Sequence, residues 1–360
     1  MKKVRVLSLD GGGIRGIIPA TVVEYIENKL IEITNNKNAR IADYFDIIVG
    51  TSTGGILSCF YLTPNDKGAD NIASSKYTAK KALEFYSDKG IEIFNNSKYK
   101  TWLGLRQLVN STRYNPKKIE QIFNETFSDL KMSELIKPCT VTTYDMLSKT
   151  SFFFNSREPE SKNRDFYVRD VARSTSAAPT YFPPAEIKNL ENGNKMVNID
   201  GGVFANNPTM CAYAECRNSV FPQVKYPSAK DMLILSIGTG GGQFDLPDLQ
   251  KSENWGVINW AKSIPDIMMD GSIDTVHYQI KHLFATLDEE FVKNYKRIDV
   301  PVKERTYSSD MSDASPKNIE AFKTAGKIAL KYSQEVKDNE HTLDEFIKLL
   351  IENSLDKPVV

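Results

Sequence analysis

The stretch Phe45–Gly55, FDIIVGTSTGG, restricts this chain more than any other. Strand-forming residues run straight into Gly50-Thr51-Ser52-Thr53-Gly54, and the apolar run from Ile56 to Leu62 follows at once. Strand, tight turn and helix succeed one another without a spacer, and a serine sits at the turn. The turn needs glycine on both sides of the serine, because a Cβ at either place would collide with neighbouring backbone. Ser52 is thereby presented at a helix N-terminus, where unpaired N–H groups and the positive end of the helix dipole favour an anion such as a tetrahedral oxyanion. A glycine-rich βα turn with a surface serine is the simpler reading of the same five residues. The rest of the chain has to choose.

Upstream, Lys3–Leu9 reads as a buried first strand that ends at Asp10 and enters Gly11-Gly12-Gly13-Ile14-Arg15-Gly16. Helical periodicity covers about 17–33, Asn35, Asn36 and Asn38 break it, and Tyr44–Val49 is the second strand. This is a βαβ unit with a right-handed crossover. Both glycine loops then lie at strand C-termini and should face one pocket. The first loop also matches G-x-G-x-x-G, but a dinucleotide site wants an acidic residue at the end of the second strand, where this chain has Gly50-Thr51-Ser52. No phosphate-loop motif occurs either. An oxyanion hole is the better use for these N–H groups.

Residues 64–137 read as a helical insertion, a candidate cap over the crevice, with a helix start at Asn115-Pro116. Its aromatic residues, Tyr99, Trp102 and Tyr114 among them, are expected in packing. Thr140–Tyr144 and Ser151–Phe154 make a hairpin, Val168–Ala178 a short helix, and Lys195–Ile199 a strand that terminates in Asp200-Gly201-Gly202. Asn206-Asn207-Pro208 starts another helix. Met232–Ile237 reads as the last core strand and leads into Gly238–Gly242. The segment Trp255–Met269 is expected to pack in the core as a helix pair, with an apolar lip against lipid as the alternative. Two amphipathic helices, about 316–353, close the chain. Nothing marks a domain boundary, so 1–360 is read as one domain with its core at about 3–330.

With 41% hydrophobic residues the chain can fill a core, and 46 basic against 46 acidic residues leave no global field for DNA or RNA. Cys59, Cys139, Cys211 and Cys216 form no C-x-x-C pair and read as reduced packing thiols. No apolar run reaches a membrane span, so a cytoplasmic protein in transient, peripheral contact with the inner face of the membrane is expected. No metal or cofactor motif is found.

A useful serine nucleophile needs a base. The three histidines fit a triad poorly: His277 and His282 are five apart on a helix and so on different faces, and His341 lies at the polar start of the last helix. Asp200 remains, at the end of its strand with two glycines beside it, as the base of a Ser52–Asp200 dyad; for an isolated Asp-Gly pair a turn is the commoner role. A catalytically silent ligand-sensing module and a Ser-His-Asp esterase using His277 or His282 stay as alternatives.

Asp10-Gly-Gly-Gly-Ile-Arg15-Gly, Gly50-Thr-Ser52-Thr-Gly and Asp200-Gly-Gly, in this order and spacing, resemble the patatin-like phospholipases. So do Thr175–Phe182, the segment from Trp255 to Trp260, Tyr295–Ile298 and Met311–Pro316, which extends the resemblance over about 3–330. It implies a three-layer α/β fold with a mostly parallel sheet, a lipid acyl hydrolase, Ser52 as nucleophile, Asp200 as base, and Gly11, Gly12, Gly13 and Arg15 as the oxyanion loop. The overall pattern is similar to bacterial effector phospholipases of anti-phage defence that a cyclic nucleotide switches on. That implies a membrane phospholipid substrate, a cyclic-nucleotide activator and a homo-oligomer.

Overall fold

Apolar residues on both sides of a strand oblige it to lie between two helical layers. In the computed structural model, which describes residues 2–65, 74–94, 112–157, 164–241, 256–335 and 341–354, this is where the apolar runs fall. One sheet contains β1 (Val4–Leu9), β2 (Ile47–Thr51), β3 (Cys139–Asp145), β4 (Thr150–Asn155), β5 (Ala185–Lys188), β6 (Lys195–Asp200), β7 (Met232–Ile237) and β8 (Tyr295–Ile298). Its order is β5-β6-β3-β2-β1-β7-β8, with β4 paired to β3 off that path. The run from β3 through β2, β1 and β7 to β8 is parallel. Strand alternation divides the apolar side chains: Leu7, Leu9, Ile48, Leu233 and Leu235 enter one core, and Val4, Val6, Ile47, Val49 and Ile234 the other.

The helices are α1 (Ile17–Thr34), α2 (Ile41–Tyr44), α3 (Thr53–Leu62), α4 (Ala79–Phe94), α5 (Lys117–Phe127), α6 (Val168–Thr175), α7 (Gly202–Ala205), α8 (Thr209–Arg217), α9 (Val257–Ala285), α10 (Glu289–Val292), α11 (Pro316–Ser333) and α12 (Leu343–Glu352). Helices α1, α3, α11 and α12 contribute to the larger core, α8 and the C-terminal half of α9 to the smaller. The expected Asn-Pro helix starts carry side-chain caps: Asn115 Oδ1 accepts the Lys117 N–H and Asn207 Oδ1 the Thr209 N–H, each at 3.0 Å.

Pairing along β3 positions the two chemical motifs. Its residues Thr140–Thr142 pair with both β2 and β4, so these lie on opposite edges. Thr143–Asp145 pair with both β4 and β6, which puts β6 on the edge that β2 has just left. Strand β2 ends with Thr51 opposite Thr142, and β6 arrives antiparallel with Asp200 opposite Thr143. Ser52 and Asp200 therefore meet head to head on one edge. Parallel-strand reasoning alone does not foresee this; it places Asp200 at the end of a strand running with the others.

Three sequence expectations are corrected. Strand β2 begins at Ile47, because Ile41–Tyr44 close a helical turn in which the Asp43 carboxylate accepts the Arg40 N–H at 2.8 Å. Met232–Ile237 is not the last core strand: Tyr295–Ile298 pairs beside it, and its buried Lys296 and charged Arg297 hide it from a hydropathy reading. The stretch before Met269 is no core-facing helix pair. It is the N-terminal half of the single helix α9, with Trp260, Ile264, Ile267 and Met268 between 38% and 52% exposed and Ser263 turned inward. Spacings of four, three and one put these four on a single helical face. Residues Tyr99, Trp102, Gly242 and Trp255, and parts of the 64–137 insertion, lie outside the described residues. No helix among the described residues is long and apolar enough to cross a membrane.

Candidate active site

Ser52 has φ 53° and ψ −122°, a left-handed backbone that a side chain rarely adopts and a strained elbow imposes. Its flanking glycines are sterically required. A Cβ on Gly50 would stand 2.2 Å from the Gly54 carbonyl oxygen, and one on Gly54 would stand 2.1 Å from the Leu9 carbonyl oxygen. Hydrogen bonds to three other segments fix the elbow. The Ser52 N–H donates to Thr175 Oγ1 at 2.8 Å, and that hydroxyl donates to the Thr142 carbonyl at 2.8 Å. Tyr86 donates its hydroxyl to the Thr53 carbonyl at 2.9 Å, and Thr51 Oγ1 donates to the Ala205 carbonyl at 2.6 Å.

The Ser52 side chain lies beside the Asp200 carboxylate, which accepts the Gly202 N–H at 2.7 Å. Asp200 is buried, and burial raises its pKa to about 7 although the neighbouring Ser52 side chain and the Gly202 N–H pull the other way. Such a carboxylate takes a proton far more readily than an exposed one. Neither histidine alternative joins it. His277 Nδ1 lies 2.9 Å from the Tyr295 hydroxyl, and burial together with the nearby Arg297 holds its pKa down at about 4. The His282 ring packs on Tyr278. Neither ring lines the pocket that contains Ser52.

The glycine loop comes alongside: a Cβ built on Gly11 would lie 3.2 Å from Ser52 Cβ. Its four expected members are not equivalent. The Gly11 N–H donates to the Asn206 carbonyl at 2.9 Å and is thereby occupied. The N–H groups of Gly12 and Gly13 make no hydrogen bond to another described residue. Gly13 has φ 61°, and any Cβ there would stand 2.4 Å from the Met311 carbonyl oxygen. Arg15 is buried, and its Nε has no hydrogen-bond partner among the described residues.

From Ser52 and Thr53 an apolar pocket opens, about 630 Å³ of empty space including its mouth. Helix α3 supplies Ile56, α4 supplies Phe85, Tyr86, Gly90, Ile93 and Phe94, and α5 supplies Ile119 and Phe123. Tyr181 and Phe182 complete it. The described helices of the insertion thus form the pocket wall itself. Sequence reasoning gave no role to Tyr86, Phe94 or Thr175, since a buried aromatic or threonine has no chemical signature until its neighbours are known.

Fold and site together define an α/β protein whose serine elbow, with a buried carboxylate beside it, faces an apolar pocket. The chain belongs to the patatin-like phospholipase family: the family described as Patatin-like phospholipase matches residues 7–213. It is 32% identical to Patatin-07 of Solanum tuberosum over 96% of this chain and 88% of that one. It is 33% identical to Patatin group M-2 of the same species, and 32% identical to Patatin-17 of Solanum cardiophyllum, with the same coverage. A superposition on VipD from Legionella pneumophila has a TM-score of 0.37 at 12% identity over 92% of this chain and 66% of that one, a likeness too distant to support an inference. Membership makes the chain a hydrolase of lipid acyl esters.

Proposed function

We propose that this chain cleaves the fatty acyl esters of membrane glycerophospholipids, in the manner of a phospholipase A, through an acyl-Ser52 intermediate. The observation that carries the proposal is a serine that lines an apolar pocket with a buried carboxylate beside it. Asp200 takes the hydroxyl proton as Oγ bonds to the ester carbonyl carbon. The oxyanion is met by the free N–H groups of Gly12 and Gly13, with Arg15 beside them. The C–O bond to the glycerol oxygen then breaks, and Asp200 returns the proton to that oxygen. Water repeats the cycle and releases the fatty acid.

A fluorophosphonate should form one adduct, on Ser52, and a lipidomic time course with mixed phospholipids should show fatty acid and lysophospholipid rising together. Absence of an adduct in every activation state would favour the silent ligand-sensing module.

Substrate in a bilayer has to be met at the membrane surface, and the exposed face of α9 suits that contact. Its middle borders the site: Ser272 Oγ accepts the Asn206 N–H at 3.2 Å, and Met269 Sδ lies 3.5 Å from the Cβ position of Gly202. Replacing Trp260 and Ile264 by serine should lower vesicle binding at least about tenfold, since two large apolar side chains would no longer leave water, while hydrolysis of a short soluble ester changes little. Unchanged vesicle binding would remove the lipid contact. Resemblance to the cyclic-nucleotide-switched effectors supports an activator of that kind, acting through a homo-oligomer and serving anti-phage defence. The same vesicle assay, run with cyclic di- and trinucleotides, reads that out as a rise in turnover.

A further inference from the structure

The glycine loop is held from behind by residues that follow Asp200 in the chain. The Asp10 N–H donates to the Ile237 carbonyl at 3.1 Å, and the Ile14 N–H donates to the Met311 carbonyl at 2.9 Å. Thr239 Oγ1 donates to the Gly11 carbonyl at 2.6 Å. Under the loop the fully buried Asp10 carboxylate receives both terminal nitrogens of Arg297, at 2.6 and 3.3 Å. The same guanidinium donates to Asp299 Oδ2 and to Ser236 Oγ, each at 2.8 Å. Asp299 in turn accepts the Gly240 N–H at 2.9 Å, just after Thr239. Ile237, Thr239, Arg297, Asp299 and Met311 all lie beyond residues 7–213, the part that the family description matches.

The direction of one peptide plane follows. In a trans peptide the carbonyl of one residue and the N–H of the next point to opposite sides. With the Gly11 carbonyl fixed on Thr239, the Gly12 N–H faces away from Thr239, and its neighbour Gly11 is already beside Ser52. A donor oriented before substrate arrives stabilises an oxyanion without reorganising during the reaction.

We propose that Thr239 and Arg297 are positioning residues: together they clasp the Asp10–Gly13 loop from the β7–β8 side and aim the Gly12 N–H at the oxyanion formed on Ser52. The proposal rests on the acyl-hydrolase reading above. Arg297 suits the task because its planar fork meets two carboxylates and a hydroxyl at once; a lysine ammonium supplies the charge but not the fork.

The test is kinetics of the full chain on p-nitrophenyl butyrate, a soluble ester that needs no membrane. Binding of a short alkyl trifluoromethyl ketone, which adds to the serine as an oxyanion, is measured alongside. Thr239→Val should lower kcat by about tenfold, less than outright loss of an oxyanion donor, and Arg297→Gln by about 10²-fold, the lower end of that loss, with KM nearly unchanged. Arg297→Lys should recover part of the Arg297→Gln loss. Affinity for the ketone should fall in parallel with kcat, whereas loosened packing would show in the melting temperature and not in that correlation. Thr239→Val, a small change, decides the matter if Arg297→Gln does not fold. Folded Thr239→Val and Arg297→Lys proteins that keep wild-type kcat and ketone affinity would overturn the clasp and leave the acyl-hydrolase reading standing. A wild-type chain that neither turns over the ester nor takes a fluorophosphonate on Ser52 would overturn both.

Discussion

Asp200→Asn is expected to lower ester hydrolysis on the order of 10³-fold and, in the same protein, to raise stability at pH 8. Both effects come from one buried carboxylate. Its loss as a base removes the acceptor for the Ser52 proton, while Asn keeps the volume and an oxygen for the Gly202 N–H bond of 2.7 Å. In wild type the group must be ionised to act, so kcat/KM should rise about tenfold per pH unit up to about 7 and then level.

The sign of the stability effect is opposite to that of a salt-bridged carboxylate. Asp200 titrates near 7 folded against an ordinary value of 3.8, so between these values the folded state binds a proton that the unfolded state has released. Stability therefore declines as pH rises from about 4 to about 7 and stays at the lower level above; below 4 both states are protonated and the difference vanishes. At about 1.4 kcal/mol per unit of displacement, the Asn variant should be more stable than wild type by on the order of 4 kcal/mol at pH 8 and by almost nothing at pH 4. Urea denaturation at the two pH values measures it. Equal stability at pH 8 would mean that the carboxylate is not desolvated. His277→Ala, run as a control, should retain activity, because His277 is turned to Tyr295 and not to Ser52.

Gly54→Ala is expected to cost more than about 3 kcal/mol and, with it, the elbow. The new Cβ would stand 2.1 Å from the Leu9 carbonyl oxygen and 2.8 Å from that of Asp10, both backbone atoms at the end of β1. Nothing there can rotate away, so either α3 lifts off the sheet or β1 shifts and drags the glycine loop with it. Thermal and urea unfolding of the purified variant, or its failure to accumulate in soluble form, reads the loss. Gly271→Ala is the matching control: its Cβ meets nothing within 4 Å on the exposed surface of α9, and replacing a helical glycine should stabilise by about 0.5–1 kcal/mol. A Gly54→Ala protein as stable as Gly271→Ala would contradict the close packing of elbow on strand.

The same contacts explain why the elbow was legible in sequence. Gly50, Gly54 and the turn at Ser52 answer to steric rules over five residues, and Asn115 and Asn207 to local capping geometry, so their neighbours in the chain suffice to read them. Strand β1, the apolar run of β7 and the β3–β4 hairpin were legible for a like reason, since alternation and apolar runs are properties of one segment. What the short motifs do not contain is where their segments meet. That β6 takes the edge of β3 vacated by β2, setting Asp200 against Ser52, follows from two strand pairings, Thr51 with Thr142 and Thr143 with Asp200, and no periodicity encodes partners so far apart in the chain.

The remaining decisions were tertiary as well. Strand β8 carries Lys296 and Arg297 inward, which is tolerable only because Arg297 finds Asp10 and Asp299 and Lys296 finds the His341 carbonyl. Gly11 loses its N–H to a carbonyl that the chain brings in from Asn206, so one of four expected oxyanion residues is already engaged while Gly12 and Gly13 are not. The apolar face of α9 reads the same whether it is covered or bare. Only the packing of its opposite side, with Ile280 and Phe284 in the smaller core, leaves Trp260 and Met268 facing water. Local sterics and hydrogen bonding are written residue by residue, whereas pairing, burial and the exposed face are properties of the surroundings that the folded chain makes for itself.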